Sequence, residues 1–439
     1  MSKKDWSIAM ALVTKQPKEM YLLSLIEMCQ RFAFGGMALL LVLYLVQVHQ
    51  FADAKATNLY GIFTGVAFSL PIVGGYLADK TSHKAGVIAG GLLTTLGCFL
   101  LATGSIHLLY FALLAATLGT ALFTPSIYTI LGAVYKDKHH LREAGFSIYY
   151  AAVNIGYFLA VFLLGTLGHM HAWGTAYVIA GLVQLVGIGI FLKLMRNKKF
   201  ANLHATQNTA SALKSGPPLK AKEKDRIIVI SALSFISIFF WMAYNQGWSS
   251  MSLFTLNFTD KNVLGFQMPA SWILSLPNLY LLLLAFPLAG LYSWLKKRKL
   301  DPSPPLKTAW SLVSLGVCFA IMMIGSSLIP AGAKTSAVSP LFPACSYFFL
   351  SLGEMLLAPI GLSLVTHLSP HRYTAFFVGM WYVCVGIGFY SAGLMAGLFS
   401  KLQQLDNFFL IFVLMTLIPA AALFFFSKKL NKMRHANSF

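Results

Sequence analysis

Glu27, Gln30 and Arg31 stand three and four positions apart inside an apolar run from about Met20 to Val48. That run is long enough to cross a bilayer as a helix, and the spacing puts all three side chains on one helix face. A charged group at membrane depth costs roughly 2.5 kcal/mol or more, so this face should look onto protein or water and not onto lipid. Of the 13 acidic residues only Glu27 and Glu354 fall deep in apolar runs, and Arg31 is the one deep cation. Three unpaired buried charges would be ruinous, so the pattern predicts that they converge on a hydrated cavity between two halves of the chain. Their sum is minus one, which one proton or one cationic group on a bound molecule would neutralise. The plainer alternative is a self-satisfied Glu27–Arg31 pair within one helix and a Glu354 carboxyl tucked away uncharged.

The elements that must hold these residues follow from composition. The chain has 439 residues, 57% of them hydrophobic and 10% charged, with a mean hydropathy of +0.71. A soluble domain carries about 25% charged residues. Apolar runs of spanning length recur near 20–48, 57–78, 85–105, 108–134, 144–168, 172–194, 227–250, 270–294, 308–329, 340–367, 374–399 and 405–427. An all-α membrane protein of 12 transmembrane helices is predicted, and the short alternating segments of a β-barrel are not visible. The stretch from about Arg196 to Asp225 is polar, Lys-rich and Pro-containing, and reads as a cytoplasmic linker. It divides a six-helix bundle at 1–195 from a second at 226–439.

A formal charge of +20 invites a nucleic-acid reading, but its placement argues against one. On alternate sides of the predicted spans, 28 of the 33 Lys and Arg residues fall on one side. The positive-inside rule places that side, and both termini, in the cytoplasm of a multi-pass protein. Cys29, Cys98, Cys318, Cys345 and Cys384 all lie in predicted spans without a CxxC pair, which suits buried apolar thiols. Met1–Lys18 is too polar for a cleaved signal peptide and is expected to form a short amphipathic entry to the first span. His139 and His140 are adjacent and lack ligand spacing. With no metal-ligand cluster, nucleophile–base pair or phosphate loop in the right context, neither a cofactor nor an enzyme is expected. The lipid bilayer is the expected partner, with no nucleic acid, and a monomer is expected.

Further motifs lie along the chain. Gly74-Gly75-Tyr76-Leu77-Ala78-Asp79-Lys80, with Lys84 beyond, resembles the signature between helices 2 and 3 of the major facilitator superfamily. Pro125 follows Thr124 in the fourth span, where a missing backbone donor marks either a cavity or a packing kink. Tyr150 and Asn154 are four apart in the fifth, and a lone membrane Asn is at least as often a helix–helix hydrogen bond as a ligand contact. The seventh span carries a dense polar and aromatic patch near its outer end, Phe239-Phe240-Trp241-Met242-Ala243-Tyr244-Asn245-Gln246-Gly247-Trp248-Ser249-Ser250. Trp272 and Pro277-Asn278 stand in the eighth, Gly353-Glu354 with Pro359 and Gly361 in the tenth, and Gly379-Met380-Trp381 in the eleventh.

Together these stretches resemble the proton-dependent oligopeptide transporter family, a branch of that superfamily. Its helix 1 pattern, Glu-x-x-Glu-Arg-Phe-x-Tyr-Tyr, is similar to Glu27–Gly35. Other matches fall at Gly74–Asp79, Tyr149–Gly156, Phe240–Ser249, Gly353–Leu362 and Gly379–Trp381, in family order. The departures form a set: the second glutamate is Gln30, the two tyrosines are Phe34 and Gly35, and the helix 4 lysine is Thr124. The helix 2 tyrosine is Phe68, the helix 7 glutamate is Asn245, and the helix 8 Asn-Pro is reversed as Pro277-Asn278. Two carboxylates and one ammonium are thus replaced together. That avoids the cost of about 3–5 kcal/mol for leaving a buried partner unpaired.

The resemblance implies a symporter taking up di- or tripeptides, or a peptide-like zwitterion. Arg31 would receive a carboxylate, Glu354 and Asn154 an amine, and Trp381, Phe34, Phe68 and Trp272 would wall the side-chain space. Tyr150, Thr124, Asn245, Gln246 and Asn278 complete the expected lining. Glu27 and Glu354 are the remaining proton carriers, and Asp79 and Gln30 are expected to act in gating. The rival expectations are export or uncoupled passage of another amphiphilic metabolite, or a membrane receptor or assembly factor that no longer transports.

Overall fold

The structure, a computed structural model, describes residues 16–197 apart from 137, residue 200, and residues 220–435 apart from 264, 331–332, 334, 336–337, 371–372, 400–401 and 403. Most of the expected N-terminal amphipathic entry and most of the expected linker lie outside the described residues.

Among the described residues twelve helices are long and apolar enough to span a membrane: α1 Lys18–Gln47, α2 Asp53–Lys80, α3 His83–Ala102, α4 Ile106–Val134, α5 Ala144–His169, α6 Trp173–Met195, α7 Ala221–Asn257, α8 Ala270–Lys297, α9 Pro304–Ser327, α10 Leu341–Val365, α11 Phe376–Ala396 and α12 Leu405–Met433. The predicted spans are each recovered. The largest differences are at α7, which begins before the expected 227 and ends after 250, and at α12, which runs on past 427; Lys222–Arg226 and Lys428–Lys432 lie in these extensions. Hydropathy marks only what suits lipid, whereas helical hydrogen bonding continues through polar and lysine-bearing turns that favour a helix equally well. Between α7 and α8 a two-stranded hairpin, β1 Asn262–Val263 and β2 Phe266–Gln267, turns through Gly265 at a φ of +84°. Large apolar side chains such as Phe286 and Phe425 stand exposed on the spans, as a lipid-facing surface requires. Cys345 is also exposed and Cys384 half-buried, against the expectation that all five thiols are buried. An apolar thiol suits a lipid-facing surface as well as a protein core.

Three spans depart from a regular α-helix. Pro71 lacks the amide that would continue the ladder, and α2 is broken into Asp53–Ser69 and Pro71–Lys80. In α5 the segment Ala160–Leu164 widens into a π turn, and in α7 Asn245–Trp248 tightens into a 3-10 turn. Such mid-helix departures recur at functional positions. In α4, by contrast, Pro125 is carried inside one continuous helix.

Packing separates the chain into two units, Met1–Gln50 with Leu70–Thr209, and Phe51–Ser69 with Ala210–Phe439. The first half of α2 groups with the second unit and its second half with the first. The first unit holds a core of Met20, Leu23, Ile26, Phe123, Ile127 and Leu131 with aromatic Tyr149 and Phe191. In the second, the first half of α2 lies against α11 at Gly61 and Gly393. A Cβ on Gly61 would stand 2.7 Å from the Gly393 Cα, and one on Gly393 would stand 2.5 Å from the Gly61 Cα. Only the absence of both side chains lets these backbones meet.

Candidate functional site

In the first unit the Glu27 side chain is fully buried and Arg31 is 8% exposed. Arg31 Nε donates to Glu27 Oε1 at 2.7 Å, the i,i+4 pair that the spacing allows. Arg31 Nη1 donates to the Tyr157 hydroxyl and Nη2 to Thr124 Oγ1, each at 3.2 Å. Thr124 in turn shares a 3.3 Å hydrogen bond with Thr120. The α5 ring of Tyr157 also stands 5.8 Å from the guanidinium carbon, within cation–π range.

Gly35 makes this arrangement possible. A Cβ there would fall 2.4 Å from Tyr157 Cδ1, so the ring occupies the space that a side chain would need. Where the resemblance leads one to expect a tyrosine from helix 1, a tyrosine from α5 supplies the hydroxyl instead.

The chemistry of the cluster follows from the guanidinium's planar fork. Glu27 holds it through Nε, and the two Nη nitrogens meet only neutral hydroxyls. Of five N–H donors, three are engaged among the described residues, so a carboxylate could displace the hydroxyls and bind Nη1 and Nη2 bidentately. The self-satisfied pair and the ligand-binding arginine are therefore compatible readings of one geometry. Gln30 is turned away from this work: it is fully buried, and its Nε2 donates to Thr94 Oγ1 of α3 at 3.1 Å. Its Oε1 is buried without a hydrogen bond.

In the second unit Glu354 on α10 is half-buried, and its Oε2 accepts from the Tyr244 hydroxyl at 2.7 Å. Tyr244 stacks on Phe240 and meets Trp241 edge-on. Trp241 and Phe68 both stand edge-on to Phe389, with centroids 5.7 and 4.5 Å away. Phe68 therefore belongs to an aromatic group whose other members come from α7 and α11. The Trp241 Nε1 donor within it is buried without an acceptor.

Asn245 heads the 3-10 turn of α7 and is engaged in packing. Its Oδ1 accepts from the Tyr60 hydroxyl at 2.7 Å, and its Nδ2 donates to Thr64 Oγ1 and the Phe389 carbonyl at 3.4 and 3.5 Å. Gln246 is likewise committed. Its Nε2 donates to the Ala392 carbonyl at 2.9 Å, and its Oε1 accepts from Ser250 Oγ at 2.7 Å.

The other expected site residues are placed separately. Asn154 is buried and donates to the Tyr150 carbonyl one turn back, while the Tyr150 side chain is exposed. Phe34 is buried in the first unit and Trp381 in the second, the latter packed over Gly361. Trp272 lies 5.6 Å from Phe266 of the β-hairpin, and Asn278 is buried with its Nδ2 unpartnered. Asp79 meets His83 at 3.1 Å across the turn from α2 to α3.

Sequence reasoning missed Tyr157 and Tyr244, each within 3.2 Å of a central charged group. Tyr157 stands three positions after Asn154 and so near its face, and Tyr244 lies in the aromatic patch already singled out. Position alone gave neither a partner, because the partners are on other helices.

The pattern of the Major Facilitator Superfamily matches residues 23–346. The chain is similar to the peptide transporter YePEPT of Yersinia enterocolitica, 28% identical with 88% of each chain covered. It is also similar to dipeptide and tripeptide permease A of Erwinia pyrifoliae, 25% identical over 90% of this chain and 88% of that one. Among solved structures, a peptide transporter POT in complex with sulfate matches with a TM-score of 0.84 at 24% identity, covering 95% of this chain and 96% of that one. A POT family transporter in complex with a thioalcohol-conjugated peptide matches with a TM-score of 0.85 at 18% identity, covering 94% and 97%. The twelve spans, the two packing units and a family pattern covering most of the chain lead to one assignment: this protein belongs to the Major Facilitator Superfamily.

Proposed function

We propose that this protein is a secondary active transporter of the cytoplasmic (inner) membrane that takes up di- or tripeptides, or a peptide-like zwitterion, by alternating access. One observation carries the reading: a guanidinium fixed at Nε by a buried carboxylate, with both Nη nitrogens on displaceable hydroxyls. In this reading Arg31 receives the substrate carboxylate, Glu354 its amine, and the aromatic group around Phe68, Trp241 and Tyr244 contacts its side chains. The names of the similar proteins support the substrate class. Both termini face the cytoplasm, by the bias of lysine and arginine.

Proton coupling rests on Glu27 or Glu354. Proteoliposomes loaded at a higher internal pH and offered a labelled dipeptide test this. Uptake above the no-gradient level in the parent, lost in Glu27→Gln or Glu354→Gln, is expected. Undiminished coupling in both variants would refute the assignment.

A second reading is uncoupled passage, in either direction. It is favoured by the neutral hydrogen bonds that Gln30, Thr124 and Asn245 make at positions where the resemblance leads one to expect charges. Counterflow of labelled peptide at equal pH, with parent uptake no greater under a pH gradient than without one, would favour it.

A further inference from the structure

A cavity of about 710 Å³ opens where the end of α8, the start of α9 and the end of α12 meet, all within the second unit. Its lining carries four cations, Lys299, Lys307, Lys428 and Arg434, against a single carboxylate, Asp301. Lys307 pairs with that carboxylate at 2.7 Å, which leaves three positive charges in the cavity uncompensated by its own walls.

Arg434 is held in place from behind. Its carbonyl accepts from Arg226 Nε at 3.2 Å, and the following His435 ring meets Asp225 at 2.7 Å. Its Nη1 donates to Asn431 Oδ1 at 2.8 Å, while its Nε is buried with no acceptor. Burial pulls the Arg434 guanidinium below its usual range. The Arg434 side chain lines the cavity, and a guanidinium's fork of donors suits an anion's oxygens. Lys299 follows α8 in the left-handed region at a φ of +57°. Glycine would adopt that conformation more cheaply, yet the residue present adds a cation to the cavity.

The lip is apolar and aromatic. Trp310 lines the cavity while 52% exposed, and stands edge-on to Phe424, beside which Phe425 is 81% exposed. An exposed tryptophan near the end of a spanning helix marks the headgroup level of a bilayer. Basic pockets between spans at that level suit acidic headgroups.

We propose that this cavity binds the phosphate group of an anionic membrane lipid, with Arg434 and the lysines around the phosphate and the acyl chains running down beside Trp310 and Phe425. The site shares no residue with the Arg31 and Glu354 clusters and does not rest on the transport reading.

The test uses delipidated full-length protein in detergent, titrated with phosphatidylglycerol, phosphatidylcholine or inorganic phosphate while thermal unfolding is followed. Phosphatidylglycerol is expected to raise the midpoint at concentrations where phosphatidylcholine does not. At about 1 kcal/mol per surface cation, Lys299→Gln with Lys428→Gln is expected to weaken phosphatidylglycerol binding about thirtyfold. Asp301→Asn, which removes the one opposing charge, is expected to tighten it severalfold, a gain that a merely damaged protein would not show. Equal responses to the two lipids, or unchanged affinity in the double-lysine variant, would overturn the proposal. A full shift from inorganic phosphate, with no further gain from phosphatidylglycerol, would overturn the lipid as source.

Discussion

Replacing Arg31 by glutamine tests whether the α1 pair is held by charge balance. The substitution removes the 2.7 Å bond to Glu27 and the two 3.2 Å bonds to Tyr157 and Thr124. The last two involve part-buried hydroxyls that water can serve, and each is worth about 1 kcal/mol or less. The first leaves a fully buried carboxylate without its cation, at a cost of about 3–5 kcal/mol. Glu27→Gln with Arg31→Gln removes both charges, so its cost should fall to about 1–2 kcal/mol, from the hydrogen bonds alone. The double variant should therefore be more stable than Arg31→Gln alone, with a coupling of at least about 2 kcal/mol. Denaturant unfolding in micelles, run on the parent and all three variants, measures this directly. Uptake should be lost in both variants lacking Arg31, so stability and transport separate. A double variant no more stable than Arg31→Gln would refute the charge-balance argument.

Other outcomes are expected from the same geometry. Gly35→Ala places a Cβ 2.4 Å from the Tyr157 ring, so the ring must move off Arg31; a stability loss of about 1–3 kcal/mol and weaker peptide binding are expected, read by unfolding and by substrate titration. Gly393→Ala sets a Cβ against the Gly61 backbone, which cannot yield as a side chain would, and should lower the unfolding midpoint by the equivalent of about 1–3 kcal/mol. Tyr244→Phe removes the donor to Glu354 Oε2 and should raise the KM for peptides with a free amino terminus more than for N-acetylated ones. Asn245→Leu removes the acceptor of the 2.7 Å hydrogen bond from the Tyr60 hydroxyl, for a loss of about 1 kcal/mol in unfolding measurements.

Much of the architecture was legible in order along the chain. Twelve apolar runs are a local property, because each must satisfy its own backbone hydrogen bonds inside lipid and must therefore be a helix. The Glu27–Arg31 pair is local too, since four residues of helix bring them together whatever surrounds them. Tertiary structure alone decided which side chains complete each cluster. Tyr157 reaches Arg31 because Gly35 leaves room, Tyr244 reaches Glu354 from three helices earlier, and Asn245 is tied to Tyr60 across 185 positions of chain. The first half of α2 joins the second unit for the same kind of reason, two glycines far apart in sequence that permit one close approach. Helical periodicity reports which residues share a face, but the partner opposite that face is set by packing between segments, and a single chain read in order carries no record of it.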